Sequence, residues 1–170
     1  AAIGAVTARH AATLIRFAGD GVMVLVNAPV ACEDPAQRGI RLAIDMQAAV
    51  QSVANYWKAR GCAIGFGVGI AMGPATVGTL GYQGRLDYTA IGNVVNLASR
   101  LCGLAADGQI LLDPVVHGQV RDSFAITSLG EHSIRGYDRA LELFAVGTGA
   151  PAPSTTPPVA TRCRGLALAE

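Results

Sequence analysis

Glycine alternates with large apolar residues through one strand-like segment near the middle of the chain. Residues 62–71 read Cys-Ala-Ile-Gly-Phe-Gly-Val-Gly-Ile-Ala. Because successive side chains of a strand point to opposite faces, the large apolar residues share one face and the glycines share the other. The apolar face is expected to pack under helices, and the glycine face allows another backbone or a ligand to approach closely. No helix follows the glycines at once, which excludes a dinucleotide-binding loop.

The residues before this strand predict a hairpin followed by a long helix. Strands are predicted at residues 13–17 and 22–26, joined by a Gly-Asp-Gly turn around Asp20. Asp34 and Pro35 supply an N-cap and a first helical residue. Apolar residues then recur at helical spacing and predict a buried stripe of Leu42, Met46, Ala49, Val50, Val53 and Trp57.

The residues after the strand continue the alternation of strands and helices. The predicted elements are a second hairpin from residues 76–80 and 86–90, a helix at 93–105, a strand at 109–112, a helix from Asp113-Pro114, and closing strands at 124–129 and 141–146. Two hairpins and several helices around one sheet indicate an α+β sandwich.

The composition of the chain excludes several other classes of protein. Of the 170 residues, 51% are apolar and 15% are charged, which argues against disorder throughout. The formal net charge is +1 with the basic residues scattered, so neither a nucleic-acid footprint nor a polybasic membrane patch is expected. No uncharged apolar run reaches the roughly 18 residues of a spanning helix. The four cysteines lack metal-site spacing and fit reduced thiols in a cytoplasmic protein.

The last part of the chain differs in composition from the rest. From residue 147 onward it is rich in Gly, Pro and Thr, with little to bury. We therefore expect a domain over residues 1–147 and a disordered linker or tail over residues 148–170.

The run from Asp87 to Arg100, Asp-Tyr-Thr-Ala-Ile-Gly-Asn-Val-Val-Asn-Leu-Ala-Ser-Arg, carries the clearest functional signal. Asn96 and Arg100 lie one turn apart on a predicted helix face that its apolar residues do not share. Together with Phe-Ala-Gly-Asp-Gly-Val at residues 17–22, this run resembles the catalytic domain of the class III nucleotidyl cyclases, over residues 2–147.

The resemblance implies a fold and a reaction. The fold is a ferredoxin-like sandwich with a mostly antiparallel sheet and extra strands at its end. The reaction converts ATP or GTP to the 3′,5′-cyclic monophosphate and pyrophosphate. Family members begin with a strand and a helix that this sequence does not contain, and that strand bears the first of two metal-binding aspartates. The resemblance therefore implies that this fragment is impaired or inactive.

The resemblance also assigns roles to residues near the reacting groups. Asn96 positions the ribose, and Arg100 stabilises the charge that develops on the α-phosphate in the transition state. Asp20 is the second metal-binding aspartate and would hold Mg²⁺ or Mn²⁺ beside the triphosphate. By residue type alone, an Asp between two glycines is better explained as a turn residue than as a metal ligand, and the resemblance reverses that preference.

Four further residues match positions that contact the nucleotide. Arg16 stands where adenylyl cyclases usually carry a Lys that donates to adenine, and Thr89 is its partner at the base. Arg85 falls near the triphosphate, and Arg135 matches a Lys that binds the terminal phosphates. Each of the four also fits an ordinary strand or surface residue.

In this family the active site forms between two subunits, and this one chain carries residues for both halves. The resemblance thus implies a homodimer that binds ATP, attached to a sensor domain elsewhere in the protein. Two alternatives remain open at this point. They are a guanylate cyclase and a catalytically impaired pseudocyclase that binds nucleotide or dimerises without turnover.

Overall fold

The computed structural model describes residues 2–62, 64–147 and 166–169, which form four helices and nine strands. The helices are α1 (Ala2–Arg9), α2 (Pro35–Lys58), α3 (Asn93–Leu104) and α4 (Pro114–Val120). The strands are β1 (Thr13–Ala18), β2 (Gly21–Val26), β3 (Val68–Gly73), β4 (Thr76–Tyr82), β5 (Arg85–Ile91), β6 (Ile110–Leu112), β7 (Ile126–His132), β8 (Leu141–Val146) and β9 (Leu166–Ala169).

Seven of these strands form one mixed sheet in the order β1-β2-β9-β3-β6-β8-β7. The pairings at its two ends are antiparallel, and those of β9 with β2 and β3, and of β3 with β6, are parallel. Strands β4 and β5 pair separately as an antiparallel ribbon. Both predicted hairpins are therefore present, and the α+β architecture is confirmed.

The sheet has a different set of elements on each face. Alternate residues of β2 show this, since Val22, Val24 and Val26 pack in a core with α1, α2 and α4. Met23 and Leu25 point the other way and pack in a second core with α3. The α3 face of the sheet is the one that positions the candidate site.

The glycine face of β3 is covered by the backbone of α3. A Cβ atom added at Gly69 would lie 2.2 Å from the Cys102 nitrogen and 2.6 Å from the Ala98 carbonyl oxygen. One added at Gly67 would lie 2.8 Å from the Ala105 Cβ. The sequence predicts a close approach at these glycines, and the partner is a helix backbone.

Strand β3 is shorter than the sequence predicts. It begins at Val68 rather than at residue 62, because the preceding backbone is bonded to a loop instead of a strand. The Phe66 N–H donates to the Asp107 carboxylate at 2.8 Å, and the Phe66 carbonyl accepts from the Gly108 N–H at 3.1 Å.

The buried stripe of α2 is also shorter than predicted. Leu42 and Met46 are buried and Ala49 and Val50 are half-buried, but Val53 and Trp57 are 44% and 43% exposed. A helix of 24 residues is about 36 Å long, whereas a six-residue strand spans about 20 Å. The last turns of α2 therefore extend past the sheet that would have covered them.

The two Asp-Pro signals start helices in different ways. The Asp113 carboxylate caps α4 by accepting from the Val116 N–H at 2.8 Å. Asp34 occupies the N-cap position of α2 without a side-chain capping bond, and its carboxylate instead faces Arg38 at 3.5 Å.

Strand β9 comes from the segment that the composition assigns to a disordered tail. That expectation is wrong for Leu166–Ala169, which pair in parallel with β2 on one side and with β3 on the other. Both neighbours are buried along their whole length, and the Leu-Ala-Leu-Ala sequence is apolar enough for such a slot. Residues 148–165 and 170 lie outside the described residues, and the domain boundary at 147 stays a prediction.

None of the helices in the described ranges has both the length and the apolar content needed to cross a membrane.

Candidate active site

Helix α3 presents a polar pair on the side that it does not pack. Val94, Leu97 and Leu101 are buried against the sheet, whereas Asn96 is exposed and Arg100 is half-buried. The helix starts at a tight crossing, because a Cβ atom at Gly92 would lie 2.9 Å from the Pro74 carbonyl oxygen. The β3–β4 connection thus fixes the start of α3, and the glycine face of β3 fixes its middle.

Arg100 lies against the loop that joins β7 to β8. A Cβ atom added at Gly136 would lie 3.1 Å from both terminal nitrogens of the Arg100 guanidinium. The guanidinium carbon is 5.9 Å from the centre of the Tyr137 ring, within the range of a cation–π contact. Arg135, which is exposed, directly precedes these two residues. The structure therefore places Arg135 and Arg100 at the same loop.

A cavity of about 730 Å³ lies between β1 and the ribbon. Arg16 and Thr89 both line it, so the structure brings together the two residues predicted to contact a base. Arg85 lines it as well, with its side chain 74% exposed and 3.8 Å from the Asp87 carboxylate. An ion pair this exposed contributes little to stability, so Arg85 is available to a ligand anion.

A bulge in β1 sets the direction of Arg16. Thr13 pairs with Leu25 and Leu14 with Val24, but the register shifts before Arg16, which pairs with Met23. Paired residues share a face, so Arg16 lies on the Met23 side, which is the α3 side of the sheet. In a regular strand Arg16 would point to the opposite face, because side chains alternate.

Asp20 occupies the β1–β2 turn, where it is exposed and follows Gly19 at a φ of +64°. In the part of the chain that the structure describes, no three His, Cys, Asp or Glu side chains lie close enough together to hold a metal ion. One carboxylate is sufficient for a Mg²⁺ or Mn²⁺ ion that takes its other ligands from substrate phosphates and water. Asp20 thus fits one such ion.

Residues 2–147 match the family described as the adenylate and guanylate cyclase catalytic domain. The match covers most of the chain and includes every residue of the candidate site. This chain belongs to the nucleotidyl cyclase family.

Named relatives agree with this assignment. Adenylate cyclase 1 of Rhizobium meliloti is 35% identical over 144 residues, covering 83% of this chain and 22% of that protein. An adenylate cyclase of Mycobacterium tuberculosis is 30% identical over 128 residues, covering 75% of this chain and 28% of that protein. The chain thus spans about a quarter of the length of these cyclases.

The adenylyl cyclase CyaB from P. aeruginosa has a similar solved structure. It superposes with a TM-score of 0.72 and 23% identity, covering 89% of this chain and 80% of that one. At this identity the likeness shows the fold, which is that of a class III cyclase domain.

The structure adds residues to the candidate site that the sequence patterns do not single out. Asp87 and Tyr88 line the cavity beside Thr89, although the sequence run assigns them no role. Gly136 and Tyr137 lie against Arg100 across 36 and 37 residues of sequence. Gly136 has a φ of +79°, a conformation that favours glycine, so the glycine after Arg135 is a sequence signal for a turn. Nothing in the sequence shows that Arg100 lies against that turn.

The Tyr137 hydroxyl is partly withdrawn from water. Burial raises the pKa of Tyr137 above its ordinary value of 10.0, while the charge of Arg100 opposes that shift and Asp113 adds to it. The hydroxyl donates a hydrogen bond to the Asn93 carbonyl oxygen at 3.3 Å. Tyr137 is therefore neutral at physiological pH and bonded to the first turn of α3.

Proposed function

We propose that this domain is an adenylate cyclase, which converts ATP to 3′,5′-cyclic AMP and pyrophosphate at sites shared by two copies of the chain. The observation that carries the proposal is the meeting of Arg16 and Thr89 on the walls of one cavity. Membership of the family and two relatives named adenylate cyclase support it.

The cavity supplies the groups that an adenine base requires. Adenine presents a ring nitrogen that accepts a hydrogen bond and an amino group that donates one. The Arg16 guanidinium has only donors, and the Thr89 hydroxyl can accept, so together they match this edge. Guanine presents the opposite pattern, an acceptor oxygen beside a ring N–H, which this pair matches less well.

The phosphate groups are assigned to Arg100 and Arg135. In the reaction the ribose 3′-hydroxyl oxygen bonds to the α-phosphorus, and the bond from that phosphorus to the α–β bridging oxygen breaks. Pyrophosphate leaves with the bonding electron pair, and the hydroxyl proton passes to water. Arg100 offsets the charge that grows on the α-phosphate oxygens, Arg135 binds the terminal phosphates, and Asn96 orients the ribose.

We assign Asp20 to a Mg²⁺ or Mn²⁺ ion bound with the triphosphate. When bound, such an ion polarises phosphoryl oxygens and favours departure of pyrophosphate. Asp20 supplies a hard oxygen ligand on an exposed turn that a nucleotide can reach.

A second copy of the chain is proposed to complete each site, with Asp20 from one copy and Arg16, Thr89, Asn96 and Arg100 from the other. Large apolar side chains are exposed beside the cavity, on β1 and the ribbon. They are Phe17 (70%), Leu80 (41%), Tyr82 (72%), Leu86 (68%) and Ile91 (58%). An apolar surface of this kind is typical of a protein interface.

Mass spectrometry of the product tests the reaction. The whole chain is incubated with Mn²⁺ and either ATP or GTP, and cyclic AMP from ATP is the expected product. Rapid formation of cyclic AMP would also show that the impairment expected from the sequence resemblance is wrong. Arg100→Gln should lower kcat by about 10²- to 10³-fold, the usual effect of removing one such stabilising group. Arg121→Gln, an exposed arginine on the other face of the sheet, is the matched control and should not change kcat.

Cyclic GMP as the main product would establish a guanylate cyclase instead. Triphosphate binding that depends on Arg100, without any cyclic product, would establish a binding domain and refute the enzyme.

The shared site has a separate test. Asp20→Asn and Arg100→Gln are each expected to be inactive alone. When they are mixed, about half of the dimers contain one copy of each, and every mixed dimer has one intact site. The mixture should therefore recover about a quarter of wild-type activity. No recovery, with exchange of subunits shown by native mass spectrometry, would place the whole site within one chain.

A further inference from the structure

The loop from residue 133 to residue 137 is tied to α3 at several points. Ile134 is 2% exposed and packs in the α3-side core with Leu97 and Leu101. The Tyr137 N–H donates to the Ile134 carbonyl at 3.0 Å and closes a turn. The loop is therefore anchored on the same helix that carries Arg100.

Gly136 leaves space that the Arg100 side chain uses. Its added Cβ atom would be 3.1 Å from both terminal nitrogens and 3.5 Å from the guanidinium carbon. A contact of 3.1 Å requires the guanidinium to move by a few tenths of an ångström. Arg100 is thus placed directly over the bare backbone of Gly136.

Tyr137 contacts α3 at two positions along the helix. Its hydroxyl donates to the Asn93 carbonyl at 3.3 Å, and its ring faces the Arg100 guanidinium carbon at 5.9 Å. Asn93 and Arg100 are seven residues apart, about 10 Å along a helix. The ring therefore braces the side of α3 from its first turn to the arginine.

Arg100 has no carboxylate partner in the described ranges. A half-buried guanidinium that is held by a glycine backbone and an aromatic ring keeps its donors for an external anion. A carboxylate in the same place would hold Arg100 equally well but would compete with phosphate.

We infer that Gly136 and Tyr137 are positioning residues that hold the Arg100 guanidinium toward the α-phosphate without neutralising it. This inference rests on the proposed function. The inference adds to the role of the loop. Arg135 is proposed to bind phosphate itself, and the two residues that follow it orient Arg100.

Two pairs of matched variants isolate this role. Gly136→Ala is compared with Gly130→Ala, because the two glycines have φ values of +79° and +78° and therefore carry the same backbone strain. A Cβ atom at Gly130 meets no atom within 4 Å, so only the Gly136 variant presses on an arginine. Tyr137→Leu is compared with Tyr56→Leu, whose ring lies 3.6 Å from the Arg60 guanidinium on the other helix layer.

The kinetic readout is the split between kcat and KM. Tyr137→Leu should lower kcat by about 2- to 30-fold, the range of a cation–π contact, with little change in KM for ATP. Gly136→Ala should lower kcat by about 10-fold or less, because the added Cβ atom displaces the guanidinium by a few tenths of an ångström and a 1 Å misplacement costs about 100-fold. Tyr137→Phe, which keeps the ring, should retain most of the activity, and both control variants should match wild type.

The second readout does not depend on turnover. The Arg100 Nε–Hε signal is followed by NMR in chain labelled with ¹⁵N-arginine, and is assigned by its loss in Arg100→Gln. We expect it to move in Gly136→Ala and Tyr137→Leu and to stay in place in both controls. An unmoved signal, or a moved signal with unchanged kcat, overturns the positioning role. If the wild-type chain forms no cyclic nucleotide, the proposed function fails, and the Arg100 signal still decides whether the two residues position it.

Discussion

Replacing Gly69 by alanine tests the packing that places α3, the helix with the proposed catalytic residues. The added Cβ atom would lie 2.2 Å from the Cys102 nitrogen, 2.6 Å from the Ala98 oxygen and 2.7 Å from the Leu101 carbonyl carbon. All three are backbone atoms, so no side chain can rotate away. To restore an ordinary contact of 3.4 Å, α3 must move back by about 1 Å. Overpacking costs about 1–3 kcal/mol, and rigid backbone neighbours place this variant at or above about 3 kcal/mol.

Two other glycines of the same chain calibrate that estimate. Gly78→Ala in the ribbon meets no atom within 4 Å and should change stability by less than about 0.5 kcal/mol. Gly67→Ala contacts Ala105 and Ala106 at 2.8–2.9 Å, near the end of α3, and should fall between the two. Urea denaturation followed by circular dichroism gives the three free energies of unfolding. A Gly69→Ala variant within about 1 kcal/mol of Gly78→Ala would refute the packing argument.

The same substitution has a functional consequence. The atoms that Gly69 contacts belong to residues 98–102, which flank Arg100 on both sides. A helix shift of about 1 Å would move the guanidinium away from the phosphate, and misplacement on that scale can lower the rate by about 10²-fold. At a temperature where the variant remains folded, we expect kcat for cyclic AMP formation to fall while Gly78→Ala stays near wild type.

Three further substitutions test other parts of the structure. Asp113 is 2% exposed, and Asp113→Ala removes both the cap of α4 and the 3.2 Å hydrogen bond from the Met72 N–H. Urea denaturation should show a loss of about 2 kcal/mol in the free energy of unfolding, and a loss below about 0.5 kcal/mol would contradict this. Burial raises the pKa of Tyr137 above 10.0, so the folded state holds the hydroxyl proton more tightly than the unfolded state does. The resulting contribution to the free energy of unfolding is present below pH 10 and is lost as the pH rises through the folded-state pKa. Tyr137→Phe should therefore lose less stability than wild type above pH 10, and parallel stability curves would refute this. Trp57→Ala, at a residue 43% exposed, should cost less than about 1 kcal/mol by thermal unfolding, and a cost above 2 would mean that the end of α2 is covered.

Local sequence signals predicted most of the elements of the fold. Three local patterns each predicted one feature of the fold. The Gly-Asp-Gly turn predicted the first hairpin, and Asp113-Pro114 predicted the capped start of α4. The alternating glycines of residues 62–71 predicted the close approach at β3. The errors concern how far elements extend. Trp57 keeps the helical period of α2 but lies beyond the sheet, because periodicity describes the face of a helix and not the length of its partner.

Strand β9 shows a second kind of limit. Four apolar residues after a Pro- and Thr-rich stretch give too short a signal for a strand, and their neighbours β2 and β3 are more than ninety residues earlier in the sequence. Pairing at such a distance depends on an open position between two buried strands, which a local pattern does not contain.

In the candidate site, local spacing likewise predicts some features, whereas strand pairing sets others. Asn96 and Arg100 share a helix face by spacing alone, so the sequence predicted them as a pair. The direction of Arg16 depends on the bulge in β1. If the same sequence paired regularly after Leu14, Arg16 would lie opposite Val22 and the guanidinium would point to the α2 side of the sheet. A resemblance between motifs assigns a residue type to a role, but the bulge decides on which side of the sheet that residue lies. Deleting Ile15 removes the bulge but leaves Arg16 next to Leu14 and opposite Met23, so the arginine should keep its side of the sheet and ATP binding should weaken less than in Arg16→Ala. Calorimetric titration with ATP would decide the point, and a deletion variant that binds ATP as weakly as Arg16→Ala would show that pairing opposite Met23 does not direct Arg16.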